Sequence, residues 1–265
     1  MAAKRREIAG RIRPVRDREL SAFARSDRRG RSFRQALRRP AGLAVIAEIK
    51  RRSPSAGIIR EQVDASEQAR SYYNAGADAM SVLTDRAYFG GDIRDLWEVT
   101  DLLANREDTP PALRKDFFVD PVQVLEAAEA GARAILIIVR ALADEEIRRL
   151  ADAAALAGMD SLFEVHTEAE LERAIEADAT IIGVNNRDLA RFVTELERSE
   201  ELLPKVPAGV IRIAESGIHT AEDGARMRAA GADAILVGET LMKAGETAEG
   251  LIEAWHSCDD HHDLS

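Results

Sequence analysis

Four short segments repeat one pattern along this chain: Ala75-Gly76-Ala77-Asp78, Ala130-Gly131-Ala132-Arg133, Ala157-Gly158-Met159-Asp160 and Ala230-Gly231-Ala232-Asp233. Each follows a helix-like stretch and precedes a short apolar run. Glycine suits the left-handed position just past a helix end, and the apolar run suits a strand buried on both faces, as in a parallel sheet. The glycines are 55, 27 and 73 residues apart, roughly two, one and three copies of one strand-plus-helix unit.

Filling the gaps gives strands near 43–49, 79–83, 112–115, 134–139, 161–164, 180–184, 210–214 and 234–237, each followed by a helical pattern. Helix starts carry their own signals. Asp120 before Pro121 reads as a cap and first turn, and Thr167 with Glu170 as a capping box. Eight such units predict an α/β fold, a (β/α)8 TIM barrel, with a doubly wound open sheet as the alternative. No G-x-G-x-x-G follows the first strand, which counts against dinucleotide binding. Residues 1–42 precede the barrel and read as a helical extension of two or three short helices, interrupted at Pro14, Gly30 and Pro40, forming a lid or plug. The whole chain, 1–265, is expected to be one domain: extension 1–42, barrel 43–255 and polar tail 256–265.

In such a barrel the site lies at the carboxyl ends of the strands. Those ends are unusually charged here. The first strand closes in Glu48-Ile49-Lys50, where residues two apart share a face. The later ends supply Thr84, Lys115 with Asp116, Arg140, Glu164, Asn185 with Arg187, Glu215 with Ser216, and Gly238 with Glu239. Burying this many charges in one mouth costs too much to be incidental packing. Gly217 and Gly238 sit at the last two strand-to-helix turns, where backbone amides can reach a phosphate, with Ser53 and Gly57 of the first loop closing the other side. Lys50 and Lys115 should face each other with Glu48, Glu164 and Glu215 between them, an arrangement that can hold one group as acid and another as base near neutral pH. No cofactor and no metal is expected; His166 and His219 are read as surface residues.

Composition narrows the class further. The longest apolar run, Ala134 to Val139, is far too short to span a membrane, no secretory signal follows Met1, and the single Cys258 permits no intrachain disulfide, so a cytoplasmic protein is expected. The net charge of −10 is uneven: residues 1–60 hold 18 Lys/Arg against 5 Asp/Glu, leaving 19 against 42 for the rest. A basic leader could bind nucleic acid, steer an anionic metabolite or pack against an acidic body; sparse aromatics and the lack of a binding motif point away from nucleic acid. The histidines of the tail are irregularly spaced and predict no metal site.

Six ordered blocks make the chain similar to the indole-3-glycerol phosphate synthase family: Ala47-Glu48-Ile49-Lys50 with Ser53-Pro54-Ser55; Leu113-Arg114-Lys115-Asp116-Phe117 with Val119-Asp120-Pro121; Glu164-Val165-His166-Thr167; Gly183-Val184-Asn185-Asn186-Arg187-Asp188-Leu189; Ala214-Glu215-Ser216-Gly217-Ile218; and Val237-Gly238-Glu239. The resemblance implies a small phosphorylated substrate, 1-(2-carboxyphenylamino)-1-deoxyribulose 5-phosphate, with ring closure and loss of carbon dioxide and water. It implies that Lys115 is the acid, that Lys50 contacts the carboxylate or is a second acid, and that Glu164 is the base with either lysine. It further implies that Glu48, Asn185, Glu215 and Ser216 orient the lysines and substrate hydroxyls, and that Arg187 faces the carboxylate end. Ser53, Gly217 and Gly238, with Glu239 beside them, would hold the phosphate, while Phe89, Phe117 and Leu136 wall the aromatic ring. Other enzymes of the tryptophan pathway are the protein partners it leaves open. Val122, Ala56 and the stretch Ala190 to Thr194 depart from the usual family pattern without touching a proposed catalytic group. Two other readings remain: phosphoribosylanthranilate isomerase, which relies on a Cys and Asp pair that Cys258 cannot supply from the tail, and a non-catalytic barrel that binds a phosphorylated metabolite.

Overall fold

A computed structural model describes residues 1–25, 30–53, 57–59, 63–104, 108–187 and 193–258. Eight parallel strands close into a barrel: β1 Ala44–Ile49, β2 Ala79–Leu83, β3 Ala112–Lys115, β4 Ala134–Ile138, β5 Asp160–Val165, β6 Ile181–Asn185, β7 Ile211–Glu215 and β8 Ala234–Val237. Closure is made by β1 lying between β8 and β2, with Ala44 paired to Ala234 and Ile46 to Ala79. This is a (β/α)8 TIM barrel, and each strand falls within a residue or two of its expected position. Gly76, Gly131, Gly158 and Gly231 all adopt positive φ, between 67° and 91°, which releases the chain from each helix into the next strand.

Two apolar layers result from the strand alternation. One set of side chains, including Ile46, Leu113, Leu162, Ile181 and Ile213, fills the barrel; a larger set, including Val45, Met80, Ile137 and Val184, packs against the surrounding helices. Asp120 caps the helix Pro121–Glu129 through its carboxylate, as the sequence indicates. The Thr167 cap is different from the expected box. Its hydroxyl accepts from Glu170 N, but the Glu170 carboxylate reaches past Thr167 to accept the backbone N–H of His166 at 2.7 Å.

The leading segment forms α1 (Ala2–Ile8), α2 (Asp17–Ala24) and α3 (Phe33–Ala36) and runs the length of the barrel. Ser32 caps α3, and Phe33 and Leu37 are buried against the interior layer. Arg34 N donates to Asp160 at the amino end of β5, so α3 plugs the floor. At the opposite rim, α1 buries Lys4 between Asp85 and Asp116, beyond the ends of β2 and β3. The basic residues pair with the acidic body: Arg5 with Glu146 at 2.6 Å, Arg11 with Glu126 at 2.6 Å and Arg39 with Asp78 at 2.9 Å.

His256 differs from its expected place in a polar tail. It ends the helix Ala248–His256, and its Nε2 lies 2.9 Å from Asp78 Oδ2, tying the last helix to the start of β2. The last seven residues, 259–265, lie outside the described residues. Among the described residues no helix is long and apolar enough to cross a membrane.

Candidate active site

Glu48, Lys115, Glu164 and Glu215 come from four different strands and converge inside the carboxyl rim. Lys115 Nζ lies 2.6 Å from Glu215 Oε2, 3.6 Å from Glu48 Oε2 and 4.0 Å from Glu164 Oε2. Lys50, just past β1, lies 2.6 Å from Glu48 Oε1. Glu48 is therefore the one carboxylate shared by both lysines, while Glu164 and Glu215 belong to the Lys115 side.

Electrostatics follow from this geometry. Burial opposes the charge on Lys115, but Glu215, Glu48 and Glu164 outweigh it and hold the ammonium above the ordinary lysine range. Burial likewise opposes the charge on Glu48; the two lysines win and keep it ionised more strongly than a free carboxylate. Glu215 goes the other way. It is fully buried, it shares the site with Glu164 and Glu48, and these outweigh Lys115 to push it up to about 7. Its second oxygen, Oε1, is buried without a hydrogen-bond partner among the described residues.

Two glycines make the cluster possible. A Cβ on Gly183 would lie 2.1 Å from Glu215 Oε1, and a Cβ on Gly238 would lie 2.3 Å from Glu48 Oε1 and 2.8 Å from Lys50 Nζ. Gly238 thus has a steric reason to be glycine apart from any phosphate. Ser216, next to Glu215, holds a left-handed φ of 68° and leads into Gly217 at 81°. The turn is braced by Asn186, whose amide donates to Ser216 O at 3.1 Å.

A cavity of about 310 Å³ opens over the cluster and is lined by Glu48, Lys50, Ser53, Lys115, Glu164, Asn185, Arg187 and Ser216 with Phe89, Phe117 and Leu136. Tyr88 and Phe89 meet Phe117 at ring-centroid distances of 5.7 and 6.3 Å and form an aromatic wall. A smaller adjoining recess of about 40 Å³ is lined by Ser216, Gly217, Gly238 and Glu239 together with Lys50 and Arg187. Arg187 stands between the two spaces, 3.8 Å from Glu239, and its backbone N–H donates to the Asn185 side chain at 3.0 Å. The cavity can accept a ring at one end and an anion at the other.

Every residue to which the family resemblance gives a role lines one of these two spaces except Glu215, which lies beneath Lys115. Ser53 does so from a two-residue ribbon in which it pairs with Gly57, while Gly57 itself is exposed and lines neither space. Pro54, Ser55, Ala56, Asp188, Leu189 and Ala190 lie outside the described residues. Arg140 and Thr84 stand at strand ends but point elsewhere: Arg140 to Glu170, Thr84 to Asp116. His219 is exposed. The surface reading of His166 is wrong, because its side chain is 1% exposed and sits behind Glu164. Its position two residues after Glu164 was the available signal. Tyr88 was signalled only by the adjacent aromatic Phe89; nothing local marked Lys4.

A closed parallel barrel with lysines and carboxylates around a cavity at the carboxyl rim defines an acid–base enzyme of the (β/α)8 class. Residues 1–253 match the family model described as indole-3-glycerol phosphate synthase. A curated relative of that name from Opitutus terrae is 58% identical over 254 residues, 96% of each chain, and one from Koribacter versatilis is 43% identical over 251 residues, 94% of each chain. The chain belongs to the indole-3-glycerol phosphate synthase family. Among solved structures, a mandelate oxidase with benzoyl-formic acid has a TM-score of 0.59 at 19% identity, covering 83% of this chain and 73% of that one, a likeness of fold alone.

Proposed function

We infer that this chain closes the indole ring of 1-(2-carboxyphenylamino)-1-deoxyribulose 5-phosphate, releasing carbon dioxide and water, as a carboxy-lyase of tryptophan biosynthesis in the cytoplasm. The observation that carries this reading is Lys115, placed among three carboxylates on the floor of a cavity with an aromatic wall and an adjoining polar recess.

The ring of the substrate lies against Phe89, Phe117 and Leu136, and its phosphate enters the recess at Gly217 and Gly238, with Ser53 and Glu239 at its edge. Arg187 and Lys50 meet the substrate carboxylate. Lys115 gives its proton to the ketone oxygen as the aromatic carbon attacks; loss of carbon dioxide then restores the ring. In the dehydration Glu164 removes a proton while a lysine ammonium protonates the departing hydroxyl. Glu48 and Glu215 hold the lysines in place, and Asn185 and Ser216 orient the sugar hydroxyls. These steps use only side-chain acids and bases. Residues 1–265 act as one domain, with α3 plugging the floor of the barrel and α1 bracing two loops of its carboxyl rim.

Purified protein supplied with this substrate should generate indole fluorescence. Absence of product from a folded sample would overturn the assignment and favour a metabolite-binding barrel.

A further inference from the structure

His166 is buried between two carboxylates, yet neither ring nitrogen has a hydrogen-bond partner among the described residues. Nε2 lies 3.7 Å from Glu164 Oε1 and Nδ1 lies 3.5 Å from Glu170 Oε2. Both gaps are within a small ring or carboxylate rotation of hydrogen-bond length. An imidazole left in this state is costly unless it has work to do. Glu164 is correspondingly two-sided: Oε2 faces Lys115 and the cavity, and Oε1 faces His166.

Glu170 supplies the third member. It lies in the first turn of the helix Glu168–Glu176 after β5, its carboxylate accepts the His166 backbone N–H at 2.7 Å, and Arg140 binds its other oxygen at 3.2 Å. With these partners and His166 it stays ionised down to about pH 2 although burial opposes the charge. Arg140 is 34% exposed, so the row Glu164, His166, Glu170, Arg140 runs from the cavity floor to solvent.

We propose that His166 is a positioning residue that resets Glu164 by exchanging a proton with it, while Glu170 holds the ring by Nδ1. This rests on the reading of Glu164 as the base. Once Glu164 has taken a proton from the substrate on Oε2, its carboxyl group turns about Cγ–Cδ so that this O–H meets His166; the O–H bond breaks as an Nε2–H bond forms, which leaves the carboxylate free and the imidazolium between two anions. As product leaves and water enters the cavity, the Nε2–H bond breaks and the proton returns to Glu164, which turns back and passes it to that water. No oxidant or second substrate is needed. The groups facing the ring are Glu164 from β5 and Glu170 from the following helix; Lys115 and Arg140 act on it only through those two.

The test compares H166Q, E170Q, E164Q and the double variant E164Q/H166Q of the full chain, each first checked for a native melting transition. H166Q should lower kcat about tenfold to a hundredfold, the usual range for losing a partner behind a reacting group, with KM changed less than about twofold. Its solvent deuterium isotope effect on kcat should rise, which a purely structural role would not produce. The double variant should be no slower than E164Q alone. Should H166Q fail to fold, E170Q carries the test, with a smaller fall in kcat and the same rise in isotope effect. A wild-type kcat in H166Q, or in E170Q when that is the readable variant, overturns the relay. A wild-type kcat in E164Q instead overturns the assignment of the base, and the relay with it.

Discussion

Lys4 Nζ lies 2.9 Å from Asp116 Oδ1, joining the first helix of the chain to the residue that follows Lys115. The same ammonium lies 2.7 Å from Asp85, whose carboxylate caps the turn Arg86–Phe89 through Tyr88 N at 2.7 Å. One buried cation thus ties the leading segment to both loops that build the aromatic wall. Burial would lower the pKa of Lys4, but the carboxylates of Asp116, Asp85 and Glu7 raise it.

Replacing Lys4 with Met should leave Asp85 and Asp116 buried without this cation and cost about 3 kcal/mol, measurable by urea unfolding. Because the wall loosens while Lys115 stays in place, KM should rise several-fold with kcat little changed. An unchanged KM would show that the helix does not brace the ring site.

Lys115→Met removes the proposed acid. Turnover should fall about a thousandfold or more, within the range expected for a lost proton donor, while binding of a substrate analogue measured by calorimetry stays close to that of the wild type. Substantial ring closure by this variant would refute the assignment.

Gly183→Ala would drive a methyl group into Glu215 Oε1, 2.1 Å away, and displace the carboxylate that holds Lys115. A stability loss of about 2 kcal/mol and a clear drop in kcat are expected, the first from thermal unfolding and the second from initial rates. Gly238→Ala should act in the same way on Glu48 and Lys50, and phosphate-free analogues would lose affinity as well. If only phosphate-bearing ligands are affected, the steric role of Gly238 is wrong.

Glu215 gives stability a definite pH dependence. Its folded pKa, about 7, exceeds the ordinary 4.5, so between those values the folded state binds more protons than the unfolded chain. Its protonation therefore favours folding fully below about pH 4.5, and that contribution is lost as pH rises through 7. Denaturant midpoints of wild type and Glu215→Gln across pH 5 to 8 should diverge with this sign: the Gln variant lacks the decline. A parallel pair of curves would place the titration elsewhere.

Much of this molecule was legible before any coordinates. The Ala-Gly repeats gave the strand-and-helix units because left-handed helix ends need glycine whatever surrounds them, and a parallel barrel then makes each strand end part of one rim. Hence Lys50, Lys115, Glu164 and Asn185 could be named as neighbours from their places at the ends of strands. The basic leader, by contrast, offered three readings. The structure decides among them, since its ion pairs with Glu146, Glu126, Asp78, Asp85 and Asp116 pack it against the acidic body.

By itself, the sequence determined the order of units, the chemistry available at the rim and the family, since all three depend on local spacing and residue type. Tertiary structure alone decided which charges meet. Lys115 and Glu215 are a hundred residues apart and touch because β3 and β7 stand on opposite sides of the closed barrel and both side chains reach into its interior. His166 was misread, and Lys4 passed over, for the same reason: a polar residue next to a helix start or near a terminus reads as exposed until closure of the sheet brings other elements over it. Burial of a lone polar side chain is a property of the assembled fold, because the elements that cover it come from other parts of the chain.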